Sequence, residues 1–224
     1  MDYVLCSAMG YLIGCINPAY FIAKLYGYKD IRNEGSGNAG ASNIGFLVGR
    51  NMGIIVALLD ISKAIISVWL AKTLFMRLIY ARVVAGSSTV LGHMFPINMK
   101  FRGGKGLASL GGFIIAMNVI LFVIIFAVFA AVSLITDYLV FGMLSAVIIF
   151  PVAIAITEDI ISGLIISVVS VAMVLKHRLN FYRIRRGLEY KISFMWNEKA
   201  REEFKEYYLS YYGENANPHS RPID

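Results

Sequence analysis

The chain has 224 residues, of which 58% are hydrophobic and only 16% are charged, and its mean hydropathy is +0.67. A single soluble core of this length cannot hold so many apolar side chains, so the composition excludes an ordinary soluble domain and indicates lipid as the main solvent. The net charge of +7 does not predict nucleic-acid binding, because the basic residues fall beside apolar runs, where membrane proteins collect lysine and arginine in cytoplasmic loops.

Apolar runs that approach or exceed the roughly 20 residues of a membrane-spanning helix recur along the chain. The first begins with an acidic residue and lacks a small-residue cleavage site, so we interpret it as a span and not as a secretory signal. Its cysteines, Cys6 and Cys15, are expected to be lipid-facing or packed thiols, not a disulfide or a metal site. The runs cover residues 3–25, 53–74, 83–96, 107–135, 138–156 and 160–175.

The run at residues 107–135 is longer than one span, and Asn118 interrupts it after a glycine-rich start. We divide it into a short helix at 107–117 and a full one at 119–135, which predicts an all-α, polytopic membrane protein with about seven membrane helices. This division places three polar loops, at residues 24–50, 100–105 and 176–186, on one face of the membrane. A re-entrant hairpin with five true crossings gives the same sidedness, and the sequence does not distinguish the two.

The positive-inside rule places the three polar loops in the cytoplasm and the N-terminus outside. Lys72, Arg77 and Arg82, which lie in the opposing loop, weaken this orientation. We expect one membrane domain at residues 1–195 and a polar tail at 196–224.

Within the tail, residues 196–212 carry Phe204, Tyr208 and Tyr211 at roughly helical spacing among mixed charges. This pattern is typical of an amphipathic segment at the membrane surface. A solvated helix without a function explains it equally well.

The first polar loop contains GSGNAGASN at residues 35–43, and the second reads GHMFPINMKFRGGKG at residues 92–106. Closely spaced glycines can turn backbone amides toward one point and form an anion-binding nest, especially before a helix N-terminus. Arg102 and Lys105 would add positive charge there. A nucleotide P-loop is excluded, because Met99 and Gly106 occupy the positions that require glycine and serine or threonine. The loops therefore predict phosphate binding without nucleotide hydrolysis.

The third loop reads KHRLNFYRIRRGLE at residues 176–189 and directly follows the last apolar run. Contact with lipid headgroups explains Arg185 and Arg186 well. It explains Asn180 and Glu189 poorly, so this loop also belongs to the predicted site.

These three motifs, in this order and spacing, resemble the bacterial acyl-phosphate:glycerol-3-phosphate acyltransferases, and the resemblance extends to about Ser193. It implies a multi-pass enzyme of the bacterial inner membrane with a cytoplasmic active face. Such an enzyme transfers a fatty acyl group from acyl phosphate to the sn-1 hydroxyl of glycerol 3-phosphate, giving lysophosphatidate and phosphate. The implied partners are acyl phosphate, glycerol 3-phosphate and membrane lipid, with no nucleic acid, cofactor or metal.

The resemblance also selects the site residues, and elementary chemistry suggests their roles. Lys105 would stabilise charge on the leaving phosphate and on the tetrahedral oxyanion. An acyl phosphate already carries a good leaving group, so Ser36 is expected to donate or accept a hydrogen bond and not to be a nucleophile. His93 is either a general base or a structural partner. The expected catalytic residues are Ser36, His93, Lys105 and Asn180, and the expected substrate-binding residues are Gly37, Asn38, Gly40, Asn43, Arg50, Arg102, Gly103, Gly104, Gly106, His177, Arg183 and Glu189.

Two features depart from the motif pattern or lie outside it. The family usually has arginine where this chain has Phe46, and we expect Arg50, four residues further along a helix, to reach the same region. Asp60 and Lys63 lie three residues apart inside the second span, where charges are costly. We expect Asp60 to brace the first loop, with mutual pairing of the two charges as the alternative.

Two other classes of protein stay open. A small-anion transporter also presents glycines and amides from broken helices, although such sites lie near the midplane of the bilayer. An inactive lipid-binding homologue or scaffold would account for Phe46. An acyltransferase that uses a thioester with a His-x4-Asp motif is not expected, because Asn98 and Tyr182 stand where the aspartate would be.

Overall fold

A computed structural model describes residues 1–195 and 197–212. All regular structure in these residues is helical, with no strand. Three single turns of 3-10 helix lie at Ile31–Asn33, Ile97–Met99 and Ile192–Met195. The α-helices are α1 (Asp2–Cys15), α2 (Pro18–Leu25), α3 (Ala41–Leu47), α4 (Arg50–Leu74), α5 (Ala81–Met94), α6 (Leu107–Met117), α7 (Val119–Thr136), α8 (Leu139–Thr157), α9 (Ile160–Lys176), α10 (Arg178–Arg185) and α11 (Glu198–Tyr212).

The sequence suggested that the first apolar run forms one helix, but the structure divides it into α1 and α2. It breaks at Asn17, because Pro18 has no N–H with which to continue α1 and instead begins α2. The Asn17 side chain caps the new helix by accepting a hydrogen bond from the amide of Tyr20 at 2.9 Å. The break exposes the last carbonyls of α1 inside the bundle, where they need other donors.

The predicted division of the long run 107–135 is confirmed at Asn118. Its extended backbone ends α6, and its side chain accepts the amide of Leu121 at 3.0 Å to begin α7. An asparagine at this position therefore stops one helix and caps the next. The short helix and the following full one lie where the glycine content and the length of the run predicted them.

In residues 1–195 and 197–212, five helical stretches are long and apolar enough to cross a bilayer, while α5 and α6 have 14 and 11 residues. The helices carry many exposed leucine, isoleucine and phenylalanine side chains on their outer surfaces, and α7 buries only Ile125 and Ser133. Such a surface fits lipid, not water. The predicted all-helical membrane fold is confirmed, whereas the count of seven membrane helices stays a prediction. The long stretches are Asp2–Leu25, Arg50–Leu74, Val119–Thr136, Leu139–Thr157 and Ile160–Arg185.

Small residues bring α1 and α5 into backbone contact. A Cβ on Gly14 would lie 2.2 Å from the carbonyl oxygen of Thr89, and one on Gly92 would lie 2.2 Å from that of Tyr11. In lipid there is no hydrophobic force between helices, so close packing of this kind holds them together. The pair fixes the end of α5, from which the second polar loop departs.

The three polar loops converge at one end of the bundle, whereas their placement on one face of the membrane stays a prediction. Arg32 in the first loop donates a hydrogen bond through Nη1 to the carbonyl of Met99 in the second at 2.6 Å. Lys176, at the start of the third loop, donates through Nζ to the carbonyl of Met94 at 2.9 Å, at the end of α5. A continuous helix through residues 107–135 would have separated these loops, so their contact follows from the break at Asn118.

The tail is helical from Glu198 to Tyr212, where Phe204 packs against two aromatic rings of the preceding segment. Its ring centroid lies 6.0 Å from that of Tyr190 and 5.0 Å from that of Phe194. Trp196 and residues 213–224, which the sequence assigned to the tail, lie outside the described residues. The domain boundary after residue 195 and the amphipathic role of the tail remain predictions.

Candidate active site

The first polar loop is built around the buried side chain of Asn43. Its Oδ1 accepts a hydrogen bond from the amide of Ser36 at 2.8 Å, and its Nδ2 donates to the carbonyls of Glu34 and Ile31 at 3.0 and 3.2 Å. These bonds occupy both ends of the amide. We expected Asn43 to bind substrate, but the structure gives it the task of shaping the loop.

Other predicted residues of the first loop are better placed to receive a ligand. Ser36, Gly37 and Asn38 are half-buried, and Gly37 has a positive φ of 63°. Within the described part of the chain, the hydroxyl of Ser36 and the amide of Asn38 make no hydrogen bond. Gly40 directly precedes α3 in an extended conformation, and a Cβ there would lie 2.9 Å from Nδ2 of Asn38.

Sequence reasoning missed the residues that fasten the first loop to its neighbours. Arg32 forms an ion pair of 2.6 Å with Asp30, and this guanidinium, through its side-chain hydrogen bonds above all, holds the pKa of the Asp30 carboxyl below its usual value. The Nδ2 of Asn17 donates to the carbonyl of Ala39 at 3.1 Å. The Asn-Pro pair at 17–18 was the available signal, since it predicts a break in the helix.

In the second loop, Gly103 and Gly104 pack too closely against α5 for any side chain. A Cβ would lie 2.1 Å from the carbonyl oxygen of His93 at the first position and 2.1 Å from its Nε2 at the second. Their amides donate to the carbonyls of Met94 and His93, each at 3.1 Å. The predicted phosphate nest therefore cannot use these two amides in this conformation, and both glycines serve close packing.

The unused donors of the second loop begin one residue later. Gly106, with a φ of 87°, turns the chain into α6, whose first backbone bond runs from the amide of Leu110 to the carbonyl of Gly106 at 2.8 Å. In the described part of the chain, the amides of residues 105–109 therefore have no backbone acceptor. A helix N-terminus of this kind attracts anions through its amides and its dipole.

Lys105 lies half-buried at this helix N-terminus, where the second and third loops meet. Among the described residues, no hydrogen-bond acceptor lies within reach of its Nζ. Burial lowers the pKa of Lys105 to about 8, with Glu189 opposing the shift and Arg183 adding to it. His177 is also close enough to feel this charge. The ammonium group of Lys105 is therefore mostly charged at neutral pH, and its N–H groups can donate hydrogen bonds to a ligand.

The third loop presents a linked pair, Asn180 and Glu189. The Nδ2 of Asn180 donates to Oε1 of Glu189 at 2.6 Å, while its buried Oδ1 has no partner among the described residues. Burial raises the pKa of Glu189, and Lys105, Asn180 and Arg183 oppose this. A carboxylate only accepts hydrogen bonds, so Glu189 holds the Nδ2 end of the Asn180 amide. The Oδ1 end of Asn180 is then available to a ligand.

The imidazole of His177 is held by its own helix. Its Nδ1 lies 2.8 Å from the carbonyl of Met173, so Nδ1 carries a hydrogen and, in the neutral ring, Nε2 is left as an acceptor. His177 is buried, and Arg183 is half-buried six residues further along the chain. Both lie close to Lys105.

Two predicted arginines lie at the edge of the site. Arg102 and Arg50 are both exposed. The expectation that Arg50 follows Phe46 along one helix is wrong, because α3 ends at Leu47 and Gly49, with a φ of 133°, separates it from α4. Phe46 itself is 72% exposed. No residue of the first loop is placed by helical spacing to replace an arginine at position 46.

His93, Asp60 and Lys63 form a buried network beneath the second loop. The Nζ of Lys63 lies 2.7 Å from Oδ1 of Asp60 and 2.9 Å from Nδ1 of His93, and Asp60 lies 3.1 Å from the same ring nitrogen. Lys63 also donates to the carbonyls of Gly14 and Ile16, at 3.1 and 2.7 Å. These are the carbonyls that the break in the first run left without helical partners.

This network changes two expectations. Asp60 pairs with Lys63 and His93 and makes no hydrogen bond with the first loop among the described residues. His93, expected among the catalytic residues, has one ring nitrogen engaged by two charges and the other packed against Gly104. Its position suits the support of the second loop better than proton transfer. Within the residues described, no group of His, Cys, Asp and Glu is arranged to hold a metal ion.

Comparisons with known proteins agree with the resemblance found in the motifs. A family model described as glycerol-3-phosphate acyltransferase matches residues 4–187. The glycerol-3-phosphate acyltransferases of Staphylococcus aureus strains JH9 and N315 are 35% identical to this chain over 206 residues, which cover 87% of this chain and 100% of each relative.

Two solved structures share the fold. The crystal structure of PlsY (YgiH), an integral membrane glycerol 3-phosphate acyltransferase, in its glycerol 3-phosphate form has a TM-score of 0.79 and 28% identity over 87% of this chain and 98% of its own. Its lysophosphatidic acid form has a TM-score of 0.75 and 28% identity over 85% of this chain and 95% of its own. With its motifs, its helical architecture and these relatives, the chain belongs to the glycerol-3-phosphate acyltransferase family of integral membrane enzymes.

Proposed function

We propose that this chain transfers a fatty acyl group from acyl phosphate to the sn-1 hydroxyl of glycerol 3-phosphate, and releases lysophosphatidate and phosphate. The reaction takes place at the cytoplasmic face of the bacterial cell membrane. The observation that carries the proposal is the half-buried Lys105, which stands with unused donors at the N-terminus of α6 beside Glu189, Arg183 and Asn180.

Glycerol 3-phosphate is the acceptor that the relatives suggest. The similar proteins are named for it, and one solved neighbour is described in its glycerol 3-phosphate form and another in its lysophosphatidic acid form. Ser36, Gly37 and Asn38 of the first loop and Arg183 of α10 are the groups that we assign to it. A positive guanidinium and hydroxyl and amide side chains suit a phosphate ester with two free hydroxyls.

Acyl phosphate is the donor that the second loop favours. Lys105 and the unused amides of the first turn of α6 form a compact set of donors for a small dianion. A thioester donor would instead call for a histidine oriented by a carboxylate five residues further along, and Asn98 and Tyr182 do not provide one. The site is therefore better suited to stabilise departing phosphate than a departing thiolate.

The reaction balances without a covalent enzyme intermediate. The hydroxyl oxygen of glycerol 3-phosphate bonds to the acyl carbon, the bond from that carbon to the phosphate oxygen breaks, and the hydroxyl proton ends on the released phosphate. Lys105 stabilises negative charge on the carbonyl and phosphate oxygens as it develops. Positioning and electrostatics then supply the acceleration.

Asn180 is assigned the task of orienting the attacking hydroxyl. Its unpartnered Oδ1 is a buried acceptor, and a buried acceptor without a partner is unfavourable until a ligand supplies a donor. The hydroxyl of glycerol 3-phosphate is such a donor. Glu189 keeps the amide from rotating, because it accepts from Nδ2 at 2.6 Å.

The orientation in the membrane follows from charge. The loops that carry the site are rich in lysine and arginine, which favours the cytoplasm. Single cysteines at the half-buried Ser36 and at the exposed Phe101 and Leu179, in a background without Cys6 and Cys15, should all react with an impermeant reagent from the cytoplasmic side. Labelling from the outside would reverse the orientation, and labelling from both sides would contradict the common face.

The decisive test uses purified protein in detergent with two donors at equal concentration. Palmitoyl phosphate with glycerol 3-phosphate should give lysophosphatidate and one phosphate for each acyl group transferred. Palmitoyl-CoA should give little or no product, because the site lacks the oriented base that a thioester requires. If the CoA ester is the better donor, the assignment of the second loop is wrong.

A further inference from the structure

The segment after Glu189 is fastened to the turn between α7 and α8 by a compact set of hydrogen bonds. Asp137 accepts the amide of Ser193 through Oδ1 and its hydroxyl through Oδ2, both at 2.7 Å. The carbonyl of Asp137 also accepts the amide of Ile192 at 3.0 Å. Both carboxylate oxygens of Asp137 are thus used by one serine.

Asp137 holds an unusual backbone conformation to make this contact. Its φ is 63°, in the left-handed region that few residues other than glycine, asparagine and aspartate enter. The carboxylate ends α7 at this point and reaches 56 residues along the chain to Ser193. We name the contact between Asp137 and Ser193 the α7–α8 clip.

Glu189 lies between two fixed points, and the clip is one of them. On its N-terminal side Leu188 is buried, and its amide donates to the carbonyl of Arg183 at 2.8 Å. On its C-terminal side Tyr190 packs edge-on against Phe194 with centroids 5.3 Å apart, and Phe194 follows the clipped Ser193. The short segment between these points therefore has little freedom to move Glu189.

We infer that Asp137 is a positioning residue of the active site, which acts through Ser193 to hold Glu189 against Asn180 and beside Lys105. The inference rests on the proposed function, since it concerns the same site. Asp137 touches no substrate in this scheme. Removal of the Asp137 side chain should leave the donor and acceptor preferences unchanged. It should alter only the hydrogen bond of Glu189 to Asn180 and the electrostatic effect of Glu189 on Lys105.

The pH profile is the readout that distinguishes positioning from general support of the fold. Lys105 faces Glu189, Arg183 and His177. Of these three groups, Glu189 alone raises the pKa of Lys105. If Glu189 withdraws, the pKa of Lys105 falls further below 8, and the alkaline limb of kcat/KM moves to lower pH. The expected displacement is about 1 pH unit, the usual effect of one nearby opposite charge.

Asp137→Gly and Asp137→Asn form the test pair, because both residues accept a positive φ and only asparagine keeps hydrogen-bonding groups at the end of its side chain. Asp137→Gly should lower kcat/KM about tenfold at pH 8 and shift the alkaline limb downward, whereas Asp137→Asn should stay near the wild type. Ser193→Ala, which removes one of the two bonds, should fall between them. An unshifted limb in Asp137→Gly and Ser193→Ala overturns the inference.

The chain offers a matched control at the other end of the bundle. Asp159 caps α9 and accepts from the amide and the hydroxyl of Ser162, at 2.9 and 2.7 Å. Asp159→Gly removes the same pair of bonds far from the site, since α9 places Lys176 about 25 Å away at 1.5 Å per residue. Melting temperature then falls in both glycine variants, but the pH limb moves in Asp137→Gly alone.

Two comparisons keep the result interpretable. Glu189→Gln should reproduce the shift of the limb, and Asp137→Gly added to it should shift the limb no further; an additional shift contradicts action through Glu189.

An inactive wild-type protein with palmitoyl phosphate refutes the proposed function, whereas an active wild type with unchanged variants refutes only the inference. If Asp137→Gly is not recovered folded, Ser193→Ala and Phe204→Ala in the neighbouring aromatic cluster provide the same readout.

Discussion

Two clusters of charged side chains lie at neighbouring levels of the same bundle, and they differ in how their polar atoms are paired. In the deeper cluster, Lys63 donates to Asp60 and to two carbonyls, and His93 completes the group. In the cluster at the loops, Lys105 has no hydrogen-bond partner among the described residues, and Asn180 keeps an unpartnered oxygen. Paired charges indicate architecture, while charges and amides with unused bonding capacity indicate a place for a ligand.

The largest effect should follow from removing Lys63. Lys63→Met leaves the Asp60 carboxylate buried without its closest cation and leaves the carbonyls of Gly14 and Ile16 without a donor, so the protein should lose about 3 to 5 kcal/mol of stability. Equilibrium unfolding in mixed micelles measures this loss. The double variant Asp60→Asn/Lys63→Met should recover part of it, because no unpaired charge stays behind. A single variant as stable as the wild type would show that the deeper cluster is not architectural.

Lys105→Ala should have the converse result, a large loss of turnover with little loss of stability. Removal of one preorganised electrostatic contact typically lowers the rate by about 10² or more. The measurement is kcat with palmitoyl phosphate and glycerol 3-phosphate, in protein whose melting temperature stays near the wild-type value. Near-normal turnover would transfer the role to Arg102, and a collapse of stability would erase the distinction between the two clusters.

The same lysine should set an alkaline limit to the reaction. Burial lowers the pKa of Lys105 to about 8, so its charge is present below that value and is lost as the pH rises through it. Activity that depends on the charged form should fall about tenfold for each further pH unit. A plot of kcat/KM against pH from 6 to 10 measures the limb, and Lys105→Arg should retain its remaining activity to higher pH; a limb at the same pH in both proteins would contradict the assignment.

Asn180→Ala tests the unused acceptor and should have a smaller effect. Loss of one hydrogen bond to a substrate hydroxyl lowers kcat/KM by about tenfold when the bond is worth roughly 1 to 2 kcal/mol. The comparison to make is with Asn43→Ala, whose amide is occupied within the first loop. Asn43→Ala should lower the melting temperature, whereas Asn180→Ala should mainly lower activity. An Asn180→Ala protein with full activity would contradict the assignment of Oδ1 to the hydroxyl.

The architecture could be predicted from the sequence where a local signal was strong. Asn118 after a glycine-rich stretch predicted the break between α6 and α7, and this break brings the loops to one end of the bundle. The spacing of Asp60 and Lys63 predicted one helical face for both. Pairing with His93 was not predictable, because the contact between α4 and α5 depends on the tertiary packing and 30 residues separate the two partners.

For the candidate site, the sequence predicted which residues belong to it but not how their polar atoms are bonded. The motifs placed Lys105, Asn180 and Glu189 in the site, but sequence letters do not tell which amides are already bonded. Gly103 and Gly104 look like phosphate donors in the sequence, yet their amides bond to the end of α5. The clip at Asp137 was beyond reach, since an aspartate at the end of a helix has many ordinary uses and its partner Ser193 lies far along the chain.

The smallest effect is expected at the opposite end of the bundle, and it limits how far the comparison extends. Arg82, at the start of α5, forms an ion pair with Glu158 at 3.3 Å, but both side chains are about one-third exposed. Exposed pairs contribute about 0 to 1 kcal/mol, because solvent screens them and ordering two long side chains opposes the attraction. Glu158→Gln should therefore change neither kcat nor the pH limb, and should lower the melting temperature by a few degrees at most. The Arg82–Glu158 pair is charged and bonded, but it is neither buried nor near the loops. A marked loss of activity in Glu158→Gln would therefore mean that a charge anywhere in the bundle affects turnover. That result would remove the basis for separating architectural charges from reactive ones by their unused bonding capacity.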